Sequence, residues 1–286
     1  MTPLKRVAIV TDSTSDLPPD LRESLGITMV PLNVHFGDTA FREEIDITTE
    51  AFVKRLNTTE ESPTTSQPST ELFEQTFQAL AQDHEEVVCV LLSSRLSGTV
   101  ESAQRAAFAV QDTIRVEIVD SLNASLGCGY QVLNAVGLAG QGLDAATIAA
   151  TLRGQQHRYH VIFIVETLDH MRRGGRIGKA ATLLGSLLQL KPILRMDEGV
   201  VVPFERSRTR RKAIDELAAF AENLASIERI TALHNTTPED AEDLISRVGH
   251  LAQGDSMFRA IVSGPVLGTH VGTGTLGLAI EVSPNG

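Results

Sequence analysis

Two short loops concentrate side-chain hydroxyls beside the start of a helix. Ser93-Ser94-Arg95-Leu96-Ser97-Gly98-Thr99 joins a buried apolar run to a helical stretch. Hydroxyls and the free N–H groups of the helix start converge there, at the positive end of the helix dipole. That combination suits an anion. The same residues also read as plain N-capping by Ser97, with no ligand. Pro63-Thr64-Thr65-Ser66-Gln67-Pro68-Ser69 is a second hydroxyl-rich loop, again ahead of a helix. If the two loops are neighbours, they offer a carboxylate several neutral donors. A carboxylate leaving water needs them, because burial without hydrogen bonds is costly.

Other motifs carry less. Asp12-Ser13-Thr14-Ser15-Asp16 follows an apolar strand, on the side where α/β sheets bind ligands. Phosphoaspartate chemistry asks for a second acid two residues on, but Thr14 stands there. The segment reads as a capped turn or as cleft lining. It is also the seat of a rival hypothesis, an enzyme acting on a small carboxylate or phosphate through Asp12 and the hydroxyl loops. Gly272 to Gly277 matches G-x-G-x-x-G, but no helix or βαβ unit follows it. Gly174 to Lys179 has only the outline of a P-loop, with Ala180 where Ser or Thr is needed. Both glycine clusters are expected to mark sharp turns or close backbone approaches. No G-x-S-x-G elbow occurs. His157 and His160 lack further ligands around them, so no metal site is expected. Arg206, Arg208, Arg210, Arg211 and Lys212 place five positive charges within seven residues. They read as a solvated helix end, or as a docking surface for an acidic or phosphate-bearing partner.

The elements that must position these residues alternate. Val7–Asp12 is a short, nearly all-apolar β-branched run, as in a strand buried on both faces; Glu86–Leu92 is the next buried strand, and Ile114–Asp120 is another strand. Ile27–Phe36 is extended, with Pro31 hinting at an edge or bulge. Helices are expected after Ser15 or Asp16 as cap, near Thr49–Leu56, after Ser69 or Thr70, after Ser97, near Ala124–Ala139 and over Gly142–Gln155. Asn57 to Thr70 reads as a polar loop. The alternation predicts a parallel sheet with helices on both faces. The second half differs. Val161–Thr167 is a strand, and a polar hinge and a helix near Ala180–Gln189 follow. Two strands flank Asp197-Glu198-Gly199, a hairpin signal. Helices Thr209–Leu224 and Pro238–His250 alternate with strands Arg229–His234, Met257–Ser263 and Leu276–Val282. The fold class is therefore α/β in two lobes: an N-terminal parallel-sheet α/β/α domain over 1–156 and a C-terminal mixed-sheet α/β domain over 157–286.

Composition bounds the function. At 286 residues the chain has about two-domain length. It can bury roughly three quarters of its unfolded surface, enough to fold without staples. The net charge of -11 opposes binding to phosphate backbones or anionic membranes. No Trp and two Tyr leave few platforms for stacking flat rings. Two distant cysteines, Cys89 and Cys128, suit a reducing compartment. With no secretory signal pattern and no apolar stretch near 18 residues, a cytoplasmic protein is expected.

In this order, VTDSTSDLP, PTTSQPS, SSRLSGT, VETLDHMRRGGRIGK, KPIL, RSRTRRKAI and SGPVLGTHVGTG resemble the DegV family over the whole chain. The resemblance implies two α/β domains holding one long-chain fatty acid in a tunnel between them. It implies a binding component without catalysis of its own, which presents the carboxylate to a separate fatty acid kinase subunit that makes acyl phosphate from ATP. It implies no cofactor beyond the bound fatty acid. Thr65 and Ser97 would hold the carboxylate, with Ser66 and Ser94 next in line. Arg176 and His270 match supporting polar residues, and Arg206, Arg208 and Arg210 match a basic patch facing the kinase. Thr273 and Arg95 depart from the family pattern, which often has proline and a small residue at those positions.

Overall fold

The computed structural model describes residues 5–58, 62–184, 190–254 and 257–284. The chain opens on β1 (Lys5–Asp12), a 3-10 turn over Ser13–Ser15 and α1 (Pro19–Leu25). Next come β2 (Ile27–Val30), β3 (Asn33–Phe36), β4 (Thr39–Arg42), α2 (Thr49–Thr58), β5 (Thr64–Ser66) and α3 (Thr70–Leu80). The first half closes with β6 (His84–Leu91), α4 (Thr99–Ala109), β7 (Arg115–Asp120), α5 (Leu126–Gly140) and α6 (Ala145–Gly154). Strands order β2-β1-β6-β7, all parallel, as the alternation predicts. The central β6 is fully buried from Val87 to Leu91, which is why it carries a continuous apolar run instead of alternation.

The second half runs β8 (Tyr159–Ile164), α7 (Asp169–Arg173), a 3-10 stretch over Gly178–Leu183, β9 (Lys191–Asp197) and β10 (Val200–Ser207). It ends with α8 (Arg210–Glu222), β11 (Ile227–His234), α9 (Pro238–Val248), β12 (Ala260–Val262), α10 (Pro265–Val271) and β13 (Leu276–Val282). Its sheet orders β10-β9-β8-β13-β11-β12 and is mixed, with only β11 and β12 parallel. The expected hairpin forms: Glu198 and Gly199 take φ of 47° and 82° between β9 and β10.

Several local expectations give way. Ile27–Phe36 is not one strand. Pro31 lacks an N–H, and the chain leaves the parallel sheet there; β3 joins β4 and β5 in a separate small antiparallel sheet. The loop expected over Asn57–Thr70 therefore contains a strand. Ser15 and Asp16 cap no α-helix. Asp12 caps the 3-10 turn through Thr14 N, Asp16 turns left-handed at φ 53°, and α1 starts after Pro18. Ser97 does not cap α4 either: Gly98 holds the cap position and no side chain bonds the helix start. Ser69 does cap α3, accepting from Leu72 N at 3.2 Å. The helix expected over Ala180–Gln189 is a 3-10 stretch as far as Leu183, and residues 185–189 lie outside the described residues. Met257–Ser263 shortens to β12. α7 and α10 have no strong sequence signature.

α5 joins the lobes. It is apolar on all sides, and nine of its residues are buried, as for a helix covered on both sides. It packs on β1 and β6 of one sheet and on β8 and β13 of the other. One core accordingly runs from Ile9 and Val90 through Leu126 and Val132 to Val161 and Ala279. Polar bonds lock this seam. Tyr130 Oη donates to Thr231 Oγ1 at 2.7 Å, and Asn134 Nδ2 donates to Glu281 Oε1 at 2.6 Å. Buried Glu281 also accepts from Arg158 Nη2 at 2.8 Å and pairs with Arg229 at 3.0 Å. Such a buried carboxylate is tolerated because hydrogen bonds and cations compensate its lost water.

Candidate functional site

Four segments deliver the polar residues to one place. β5 carries Thr65 and Ser66, held in register opposite Val34 and Asn33 of β3. The turn between β6 and α4 carries Ser97. The turn after α7 carries Arg176, and the end of α10 carries His270. Thr65 Oγ1 lies 2.8 Å from His270 Nε2, a hydrogen bond between the lobes. Ser66 Oγ lies 2.8 Å from His35 Nε2 and accepts from Asn33 Nδ2 at 3.3 Å. Ser97 Oγ lies 2.9 Å from Thr99 Oγ1. Arg176 reaches across the gap: its Nε donates to Leu96 O at 2.9 Å and its Nη1 to Gly174 O at 2.6 Å.

These residues line a cavity between the lobes, whose empty space of about 990 Å³ includes its open mouth. Thr65, Ser66, Ser97, Arg176 and His270 all line it. The rest of the wall is mainly apolar and comes from both sheets and their connections, including Leu92, Val161, Phe163, Met171, Met196 and Leu233. Sequence reasoning missed these apolar residues. They are ordinary strand and helix positions, and nothing in their local pattern separates a cavity wall from a filled core. Gln67, Ser125 and Ser263 add polar atoms to the lining.

Ser94 does not belong with the others. It is exposed, lies outside the lining and gives its backbone N–H to Asp120 Oδ1 at 3.2 Å. Its neighbour Ser93 takes the inward position, donating to Gly199 O at 2.7 Å and accepting from Arg95 N at 3.1 Å. Consecutive residues in that turn face opposite ways. Arg95 is also exposed, with its stem beside the β9–β10 turn, and neither it nor Thr273 lines the cavity.

Electrostatics separate the titratable groups. Burial, then Arg176 and His170, push His270 down to about 4, so its ring is neutral at neutral pH. Its Nδ1 is buried without a protein partner. Asp12 is fully buried and away from the cavity. Its carboxylate accepts from Thr14 N (2.9 Å), Thr14 Oγ1 (2.6 Å) and Leu92 N (2.8 Å). It ties the end of β1 to the end of β6, and burial raises it to about 6. The rival hypothesis built on Asp12 as a reacting group therefore loses its geometry. Asp16 and Glu43 are buried acids behind the cavity. Asp16 accepts from Ser125 Oγ (2.5 Å) and Gly264 N (3.0 Å), and Glu43 from Val266 N (2.7 Å). Burial raises them to about 7 and about 8.

The basic segment divides. Arg206, near the end of β10 opposite Pro192, and Arg208, between β10 and α8, are both exposed. Arg210 is committed internally: Nε donates to Asp240 Oδ2 at 2.6 Å, and Nη1 to Glu166 Oε1 at 2.9 Å and Gly274 O at 2.8 Å. It anchors the segment to the loop that follows His270. No helix among the described residues is long and apolar enough to cross a membrane.

Fold and site together define a two-lobed α/β protein with a mainly apolar cavity between its lobes, whose lining also carries hydroxyls, an arginine and a neutral histidine. The chain belongs to the DegV family, whose model, described as "uncharacterised protein, DegV family", matches residues 6–283. It is 38% identical to a DegV domain-containing protein of Halalkalibacterium halodurans, over 96% of this chain and 98% of that one. Among solved structures, it is similar to one described as fatty acid binding of a DegV family protein from Thermus thermophilus. That match has a TM-score of 0.88 and 36% identity, covering 97% of this chain and 100% of the other. A stearic acid-binding protein from Eubacterium ventriosum matches with a TM-score of 0.87 and 26% identity, covering 98% of each chain.

Proposed function

We propose that this chain binds one long-chain fatty acid between an N-terminal lobe, 1–156, and a C-terminal lobe, 157–286, and presents its carboxylate to a separate kinase subunit. The observation that carries the reading is the mainly apolar cavity whose lining also carries Thr65, Ser97, Arg176 and His270. The relatives described as fatty acid binding support it. A 16-carbon chain buries about 15 CH₂ and CH₃ units at ~0.8 kcal/mol each, about 12 kcal/mol before ordering costs. The tail supplies affinity, and the polar end supplies position.

The hydrogen bond between Thr65 and His270 sets a tautomer. For the Thr65 hydroxyl to donate to a carboxylate, His270 Nε2 must carry the proton and donate to Thr65 Oγ1. Nδ1 then carries none, in keeping with its buried, unpartnered position. Ser97 is the second donor. The ionised carboxylate oxygen would attack the γ-phosphorus of ATP held by the partner. The bond to the β-phosphate oxygen breaks, and ADP leaves. The chain itself supplies no reacting group, so it is a binding component and not an enzyme. Arg206 and Arg208, with Arg210 anchoring them near the head-group end, form the proposed docking surface for the kinase.

Mass spectrometry of organic extracts from natively purified protein tests the reading, together with uptake of offered palmitate. One fatty acid per chain is expected. Protein that carries none and takes up none overturns it.

A further inference from the structure

Against the same polar residues lies a second, open cavity, whose empty space of about 780 Å³ includes its mouth. It shares Thr65, Arg176 and His270 with the first and adds Thr64, His170 and Arg173. Two guanidiniums, two imidazoles and several hydroxyls line it, and no Asp or Glu among the described residues does. The nearest acid on the same helix, Asp169, is paired with Arg172 at 3.5 Å.

The two glycine-rich motifs build this chamber by crossing. A Cβ at Gly272 would sit 2.5 Å from the His170 ring, and a Cβ at Gly174 would sit 2.4 Å from His270 Nδ1. Each histidine packs over the other motif's glycine, which sets both rings on the chamber wall. Arg173 is braced by Nη1 on Ser62 Oγ (2.7 Å) and Nε on Asp169 O (3.3 Å). The bonds of Arg176 likewise use Nε and Nη1. Nη2 of each guanidinium has no hydrogen-bond partner among the described residues.

The geometry points to this second cavity as a phosphoryl site, in which Arg173 and His170 bind the phosphate of an acyl phosphate whose chain lies in the first cavity, or free phosphate. The inference rests on the fatty-acid reading above and deepens it. Arg176 and His270 stand on both chambers, and the second adds the guanidinium of Arg173 and the His170 ring. A carboxylate monoanion is met by hydroxyls and one guanidinium, whereas a phosphoryl dianion calls for a second, and guanidinium matches its oxygens in pairs.

The test compares palmitate, hexadecylphosphonate (a non-hydrolysable mimic) and inorganic phosphate, titrated calorimetrically into wild type, Arg173→Gln, Arg173→Lys and His170→Asn. Arg173→Gln should weaken hexadecylphosphonate at least about tenfold, the loss of one charge-assisted hydrogen bond, and leave palmitate within about twofold. Arg173→Lys should recover part of the loss, and His170→Asn should show the same selectivity. Loss of inorganic phosphate binding in Arg173→Gln assigns the site to free phosphate as well; loss with the phosphonate alone confines it to the acyl-linked group. Equal phosphonate affinity in wild type and variants overturns the site, as does parallel weakening of palmitate. If wild type binds phosphonate or phosphate but no palmitate, the fatty-acid reading fails while the phosphoryl site stands.

Discussion

Removing both proposed carboxylate donors, Thr65→Val with Ser97→Ala, should separate head-group recognition from tail burial. Valine keeps the shape of Thr65 and deletes its hydroxyl, so the apolar wall is undisturbed. A hydrogen bond to a charged group contributes about 1.5–3 kcal/mol. Two such bonds give about 3 kcal/mol at the low end, roughly 100-fold in Kd. The tail term of about 12 kcal/mol is untouched, so the variant still binds. Its preference for the acid should collapse. Wild type should favour palmitate over methyl palmitate, which has no charge to stabilise, and the double variant should bind the two about equally. Calorimetric titration with both ligands reads this directly. An unchanged palmitate Kd, or an unchanged ratio of acid to ester, would refute the assignment of Thr65 and Ser97.

Four further outcomes are expected. Asp16 and Glu43 are raised from ordinary values near 4 to about 7 and about 8. The folded state therefore holds protons that the unfolded chain releases, and stability falls as pH rises from about 4 to about 8. Asp16→Asn with Glu43→Gln should flatten the profile of Tm against pH; the same slope in variant and wild type would exclude these acids as its source. Tyr130→Phe removes the bond to Thr231 across the seam and should cost about 1 kcal/mol, a Tm drop of about 2–4 °C by differential scanning calorimetry. Met196→Trp adds bulk to the cavity wall and should shift chain preference toward shorter acids by at least about tenfold in competition binding, an effect of the size of a few lost methylenes. Arg208→Glu should lower acyl phosphate formation with the kinase subunit at unchanged palmitate affinity; unchanged turnover would remove Arg208 from the docking surface.

How much the sequence discloses depends on how local the cause is. β1, β6 and β13 are legible because strands buried on both faces must be continuously apolar, and the edge strand β7 by its β-branched residues. The β9–β10 hairpin is legible because its two turn residues take positive φ. The small sheet of β3, β4 and β5 is not, because its strands are three or four residues long and β5 consists of the hydroxyl residues that also read as loop. Within the site, Thr65, Ser66 and Ser97 stand out as hydroxyls in loops ahead of helices, whereas Arg176 and His270 are reached only through the resemblance to the DegV family. Ser94 shows the limit: motif membership does not say which way a side chain faces in a tight turn. The apolar wall is silent for a different reason. Val161, Phe163 and Leu233 would look the same in a filled core, and only the packing of two sheets around α5 leaves space beside them. The chamber of His170 and Arg173 depends on two glycines more than ninety residues from the histidines they face, a pairing visible only in the fold.

A crystal structure with palmitate bound tests the central claim most directly. The account predicts a carboxylate oxygen within about 3 Å of Thr65 Oγ1 and another within about 3 Å of Ser97 Oγ, with the chain running past Phe163, Met196 and Leu233. A fatty acid lying in the opposite direction, or held on the outer surface with the cavity between the lobes filled by side chains, would contradict it.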